Sequence, residues 1–151
     1  MSIEKDIHQT RTFRNQHHKC LVNLIFTHNW VTEQLKRLLD IEGLTLQQYN
    51  ILRILRGSDR PISTMQIRER MLDKMSDTSR IVERLIVKKL VRKRMNKKDK
   101  RLVDVQMSAK GNRLMQKLDQ SAAAIDRVLN NISEADATEL NRLLDKVRGS
   151  V

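Results

Sequence analysis

Between Arg84 and Arg101 stand ten basic residues (Arg84, Lys88, Lys89, Arg92, Lys93, Arg94, Lys97, Lys98, Lys100 and Arg101) and a single acid, Asp99. These eighteen positions hold nine of the twelve net positive charges, leaving three for the other 133 residues. A field concentrated in this way attracts a polyanionic backbone. A solvated lysine-rich face is the ordinary origin of a charge run. Here the flanking pattern argues against it. Val91, Leu102, Val103, Val105 and Met107 alternate with polar residues on the two sides of NKKDKR, as in a hairpin and unlike a disordered basic tail.

The residues just upstream, SDTSRIVERLIVKKL, have helical periodicity and a polar start. Thr78, Ile81, Val82 and Leu85 form one face, and Asp77, Arg80, Arg84 and Lys88 the other. Ser76 is the expected N-cap. The first N–H groups of such a helix suit a phosphate or a base edge. Ser76, Asp77, Ser79 and Arg80 carry groups that hydrogen-bond base edges, arginine matching guanine and aspartate accepting from cytosine. The plainer reading is that Ser76 only caps the helix and Asp77 only answers its dipole. For Arg80 and Arg84 the expectation is DNA contact. A helix followed by a basic hairpin predicts a winged helix-turn-helix, with Lys97, Lys98, Lys100 and Arg101 at the wing tip. Arg101 would reach the minor groove, where negative potential is strongest over narrow A·T tracts. Asp99, alone in this tip, favours a turn.

Other chemistry finds little support. No nucleophile elbow, glycine-rich phosphate loop or paired-carboxylate motif is present, so the chain is not expected to be an enzyme. His17 and His18 are adjacent and project about 100° apart on a helix, which prevents easy sharing of an ion. His17 and Cys20 have workable spacing but no evident further ligands, and no metal or other cofactor is expected. Cys20, the single cysteine, excludes an intrachain disulfide and is expected to be a small buried hydrophobe. His28 is expected to be a core histidine.

The elements that must position this surface follow from periodicity. The chain of 151 residues fits one domain with a real core. One proline and four glycines leave few helix breakers. No apolar run approaches the roughly 18 residues that span a membrane, and the N-terminus lacks a signal peptide's apolar core, so a cytoplasmic protein is expected. Leu21, Leu24, Ile25, His28, Val31, Leu35, Leu38 and Leu39 recur as on one helix face up to about Ile41, and Gly43 marks its end. Thr45 with Gln48, Ser63 with Gln66 and Ser133 with Asp136 have capping-box spacing. They open helices bearing Tyr49, Leu52 and Leu55; Met65, Ile67, Met71 and Leu72; and Leu140, Leu143, Leu144 and Val147. GSDRP, at 57–61, is a loop. The hairpin strands fall near 91–95 and 102–107, and Ser108 caps a long helix reaching Leu129. The end helices have no domain of their own to cover, so their apolar faces are expected to bury against a second copy.

From about residue 43 to 111 the order and spacing resemble the multiple-antibiotic-resistance regulator (MarR) family of bacterial transcription factors. GLTLQQYNILRIL is similar to that family's second helix, and RPISTMQIRERM to its short strand and third helix. SDTSRIVERLIVKKLVRKR is similar to its recognition helix and wing entry, DKR at 99–101 to its D-x-R wing motif, and SAKG at 108–111 to its turn into the fifth helix. The resemblance implies a mainly α fold of α+β minor type. N-terminal dimerisation residues 1–42 would flank a winged lobe, 43–108, with C-terminal dimerisation helices in 109–151. It also implies a homodimer on a palindromic operator in double-stranded DNA, released by a small-molecule effector, with Asp99 pairing in the basic tip to orient Arg101. One branch senses peroxide by a cysteine paired with helix tyrosines, whereas here Tyr49 is the only tyrosine. The family usually has an apolar residue where Thr78 stands and glycine where Lys89 stands. Because lysine tolerates positive φ poorly, a different helix end is expected at Lys89. The alternative function is a basic winged module that binds RNA, a protein partner, or DNA without sequence choice. Long terminal helices disfavour it.

Overall fold

The computed structural model describes residues 2–96, 103–120 and 122–149. Eight α-helices and three strands occur among them: α1 (Ile3–Asp6), α2 (Gln16–Asp40), α3 (Leu46–Arg56), β1 (Ile62–Ser63), α4 (Thr64–Arg70), α5 (Thr78–Val87), β2 (Val91–Met95), β3 (Val103–Met107), α6 (Ala109–Gln120), α7 (Ala122–Asp126), a 3-10 turn (Arg127–Leu129) and α8 (Glu134–Val147). The fold is mainly helical with a small antiparallel sheet, a winged helix-turn-helix. None of the described helices is long and apolar enough to cross a membrane.

Local chemistry sets the boundaries. Each of the three capping boxes forms, the Thr45, Ser63 and Ser133 hydroxyls accepting from the backbone N–H three residues on. The N-terminal segment departs from expectation by starting with a separate short helix. α2 begins only after Asn15, whose side chain accepts from the His18 N–H at 2.8 Å. Lys19 pairs with Glu4 at 2.6 Å and ties α1 to α2. After Ser108 the described residues on either side of 121 are helical, as α6 and α7, and the 3-10 turn reaches Leu129.

α2 ends as Gly43 predicts. Gly43 has φ +64°, its N–H donates to the Asp40 carbonyl at 2.9 Å, and the Leu44 N–H reaches the Leu39 carbonyl at 3.1 Å. This is a Schellman cap, closed by buried Leu39 and Leu44. α5 ends in the same motif. The Lys89 N–H donates to Ile86 at 2.8 Å and the Leu90 N–H to Leu85 at 3.0 Å, with Leu85 and Leu90 buried. Lys89 nevertheless has φ +61°. The different helix end expected there is not seen. Lysine occupies the left-handed position because the cap bonds and the Leu85–Leu90 contact hold it there.

The core lies between α3, α4, α5, the sheet and the start of α6, and includes Ile51, Leu52, Ile67, Met71, Val82, Leu85, Val105 and Met115. Strand order is β1-β3-β2; Ile62 pairs with Val105, and Val91 through Met95 pair with Met107 through Val103. α6 crosses close over the start of β2. A Cβ on Gly111 would stand 2.2 Å from the Leu90 carbonyl oxygen, so no side chain fits there.

The ends of the chain differ from a core reading. Leu39 is the one fully buried residue of α2, and Leu21, Ile25, Phe26 and Trp30 are exposed. His28 and Cys20 are exposed too, which corrects both expectations of burial. The reason is the same for each: the described part of one chain leaves that side of α2 open to solvent. α8 has no buried residue, and Leu140, Leu143 and Val147 are exposed along it.

Candidate nucleic-acid interface

α5 is held from within and presents its polar face outward. Thr78, Val82 and Leu85 are buried at four- and three-residue steps, while Ser79, Arg80, Glu83 and Arg84 are exposed. The N-cap is Asp77, not Ser76. The Asp77 carboxylate accepts the Arg80 N–H at 3.1 Å, and the Ser76 hydroxyl turns away to donate to Asp73 at 2.7 Å.

That displacement reveals how the entry to α5 is built. One Asp73 oxygen takes the Ser76 hydroxyl and the other takes the Met75 N–H at 3.0 Å. These two bonds, the hydroxyl first, hold the Asp73 carboxyl below the usual carboxylate range. Buried Asn50, on α3, accepts the Leu72 N–H at 2.9 Å. The turn between α4 and α5 is thereby fixed to the lobe at one end and folded on itself at the other. Sequence reading missed Asn50 and Asp73. Signals existed: a polar residue inside the apolar pattern of α3, and the D-x-x-S spacing that makes an Asx-type turn.

The expected contact residues fall on two sides of the α5 entry. Ser76, Asp77, Arg80 and Arg84 share a depression of about 310 Å³ with Thr45 and Gln47, at the start of α3. Ser79 faces the opposite side, where Ser76 and Asp77 join Thr64, Met65, Arg68 and Met75 around a cleft of about 860 Å³. Neither Arg80 nor Arg84 has a side-chain hydrogen bond or ion pair among the described residues, so both guanidinium groups are available to an anion. Glu83, between them, is engaged by Lys93 of β2, which ties α5 to the hairpin.

The hairpin presents Arg92, Lys93 and Arg94 to solvent. Its last described rung pairs Met95 with Val103, and beyond it the Asn96 amide donates to Asp104 at 2.9 Å. Lys97, Lys98, Asp99, Lys100 and Arg101 lie outside the described residues. The hairpin base is tied to α6 through Ser108, whose hydroxyl donates to the Lys89 carbonyl at 2.7 Å and accepts the Gly111 N–H at 3.0 Å. Among the described residues no cluster of three or more His, Cys, Asp or Glu side chains could hold a metal ion.

Comparison with known proteins agrees with this geometry. The model of the MarR family matches residues 42–102. The chain matches no curated protein sequence. Among solved structures it is similar to AbsC, a MarR family transcriptional regulator from Streptomyces coelicolor. The identity is 23%, over 93% of this chain and 97% of that one, with a TM-score of 0.79. It is also similar to a mutant MarR from E. coli complexed with operator DNA, at 22% identity over 84% and 92% of the two chains and a TM-score of 0.75. A third is BpsR of Bordetella bronchiseptica, solved to explain regulation of its DNA binding by 6-hydroxynicotinic acid. It shows 20% identity over 83% and 95%, with a TM-score of 0.72. Residues 42–102 match the MarR family model, within a chain whose winged-helix fold is similar to that of solved MarR-type regulators.

Proposed function

We propose that the protein is a homodimeric transcriptional regulator that reads a palindromic operator and is released by a small ligand. The observation that carries this reading is the pair Arg80 and Arg84, exposed and without side-chain partners among the described residues, on a helix whose entry is fixed by Asn50 and Asp73. In this reading Ser76, Asp77, Ser79, Arg80 and Arg84 meet base edges and nearby phosphates. Lys97, Lys98, Lys100 and Arg101 meet the backbone and minor groove, with Asp99 orienting Arg101. Two further features support it. α2 exposes Leu21, Ile25, Phe26 and Trp30, and α8 exposes Leu140, Leu143 and Val147, apolar faces that a second copy would cover. A two-fold reader then expects two half-sites about one helical turn apart. Release by a ligand rests on the likeness to BpsR, whose DNA binding is regulated by a small aromatic acid.

The test is selection of duplexes from random DNA by the full chain, followed by affinity measurements on the winner and its scrambled form across a salt series. The expected result is an inverted repeat bound at least about a thousandfold tighter than the scramble, by a species of about twice 17.7 kDa in sedimentation. Equal binding to both duplexes would favour the basic module without sequence choice. A folded monomer at micromolar concentration would remove the palindrome.

A further inference from the structure

The cleft beside α5 has an unusual lining. Met75 is 93% exposed and Met65 71% exposed, although sequence periodicity assigns Met65 to the apolar side of its helix. Both stand on the cleft that holds Ser76, Asp77 and Ser79. Neither is on loose backbone. The Met75 N–H is taken by Asp73 at 3.0 Å. Met65 lies in the first turn of α4, whose capping box fixes Ser63 and Gln66 around it. Two thioethers are therefore held out to solvent on one cleft, one from α4 and one from the turn before α5. Its charged lining is mixed: Arg68 and Lys74 stand with Glu69 and Asp77, and the Lys74 ammonium donates to the Glu69 carbonyl at 2.5 Å.

We infer that Met65 and Met75 read thymine 5-methyl groups in the operator, an inference that rests on the DNA-reading function proposed above. In a helix-turn-helix the first helix crosses the sugar–phosphate backbone while the start of the second meets base edges. A cleft between those two helices straddles the edge of the major groove. Arg68 and Lys74 in its lining suit the phosphates there. Of the groups that bases present in the major groove, the thymine methyl is the apolar one. A thioether on an unbranched, polarizable side chain adapts to such a methyl and loses little when exposed in the free protein. Ser79 and Arg80 then supply hydrogen-bonding discrimination, and the methionines separate thymine from cytosine at adjacent steps.

The experiment uses the full chain and the duplex that the wild type selects from random DNA. Each thymine is replaced singly by deoxyuridine, which deletes only the methyl group. One or two positions per half-site should weaken wild-type binding about fourfold, the worth of one buried methyl. Met75→Ala and Met65→Ala should bind the thymine and deoxyuridine forms of those duplexes equally. Both side chains are exposed, so the unfolding midpoint of each variant should match wild type. Two results overturn the inference: wild type indifferent to every replacement, or sensitive positions that stay sensitive in both variants. If wild type selects no duplex at all, DNA reading itself fails, and the methionine assignment falls with it by a different route.

Discussion

Lys88 closes α5 by donating its ammonium to the carbonyl of Gly43, 45 residues earlier at the end of α2. The same ammonium donates to buried Gln48 at 3.1 Å, and the Lys88 carbonyl accepts from Lys110 of α6 at 3.0 Å. One residue thus joins the far end of α5 to both helices that run toward the uncovered ends of the chain. Any rotation of α2 against the lobe must break or carry this contact.

Lys88→Met tests that junction. The variant keeps the stem and removes the donors, leaving the Gly43 carbonyl and the Gln48 amide oxygen without this partner. Stability should fall by about 1 kcal/mol, since the bond is charge-assisted but near solvent, which lowers Tm by about 2–4 °C for a chain of this size. Operator affinity should fall with it. An unchanged denaturation midpoint would show that the contact does not hold α5 in place.

Lys89 and Gly43 sit at the same position of two matching caps, with φ +61° and +64°. A lysine there strains its Cβ, at roughly 1–2 kcal/mol. Lys89→Gly should therefore raise stability by about 0.5–1 kcal/mol, part of the relief being offset by the greater freedom of glycine in the unfolded chain. Lys89→Ala keeps the Cβ and should give no gain. Urea titrations of the two variants settle the matter, and equal effects would refute the strain argument.

Much of this lobe is legible in its sequence because its signals are local. Thr45 with Gln48 and Ser63 with Gln66 announce helix starts by spacing alone, and the alternation around 96–101 announces a hairpin. The misses are of another kind. Ser76 is as good a capping residue as Asp77; what decides between them is Asp73, three residues before, which claims the Ser76 hydroxyl. Cys20 and His28 lie on an apolar face, and periodicity cannot tell whether a face is covered by its own chain. Met65 fails similarly, because α4 is two turns long and packs through Ile67 and Met71.

Thr78 brings a hydroxyl into the inner face of α5, where it is 4% exposed and its oxygen finds no partner among the described residues. Leaving such a group unpaired costs about 1–3 kcal/mol. Thr78→Val keeps the shape and removes the oxygen, so it should stabilise the fold by about 1 kcal/mol while DNA affinity stays level. Calorimetry checks the first point and operator titration the second. A destabilised valine variant would mean that the hydroxyl has a partner in solution, such as a bound water.

The two elements proposed to meet DNA should fail in different ways. Arg80 follows the Asp77 cap by three residues, in the first turn of α5, where side chains meet base edges. Arg101, which lies outside the described residues, is proposed to meet phosphates or the minor groove. Losing a bidentate arginine–guanine pair costs about 1–3 kcal/mol at one base pair and relaxes preference there. Losing a wing charge weakens binding to most sequences and reduces the salt slope by about one unit. Arg80→Ala should therefore narrow the gap between operator and scrambled DNA. Arg101→Ala should lower both affinities, with extra loss where the flanks are A·T-rich. Salt titrations of both variants on the two duplexes separate these outcomes. Equal weakening of both duplexes by Arg80→Ala would remove α5 from the base-reading role. An Arg101→Ala protein with unchanged affinity and slope would show that the hairpin is not a DNA-contacting wing.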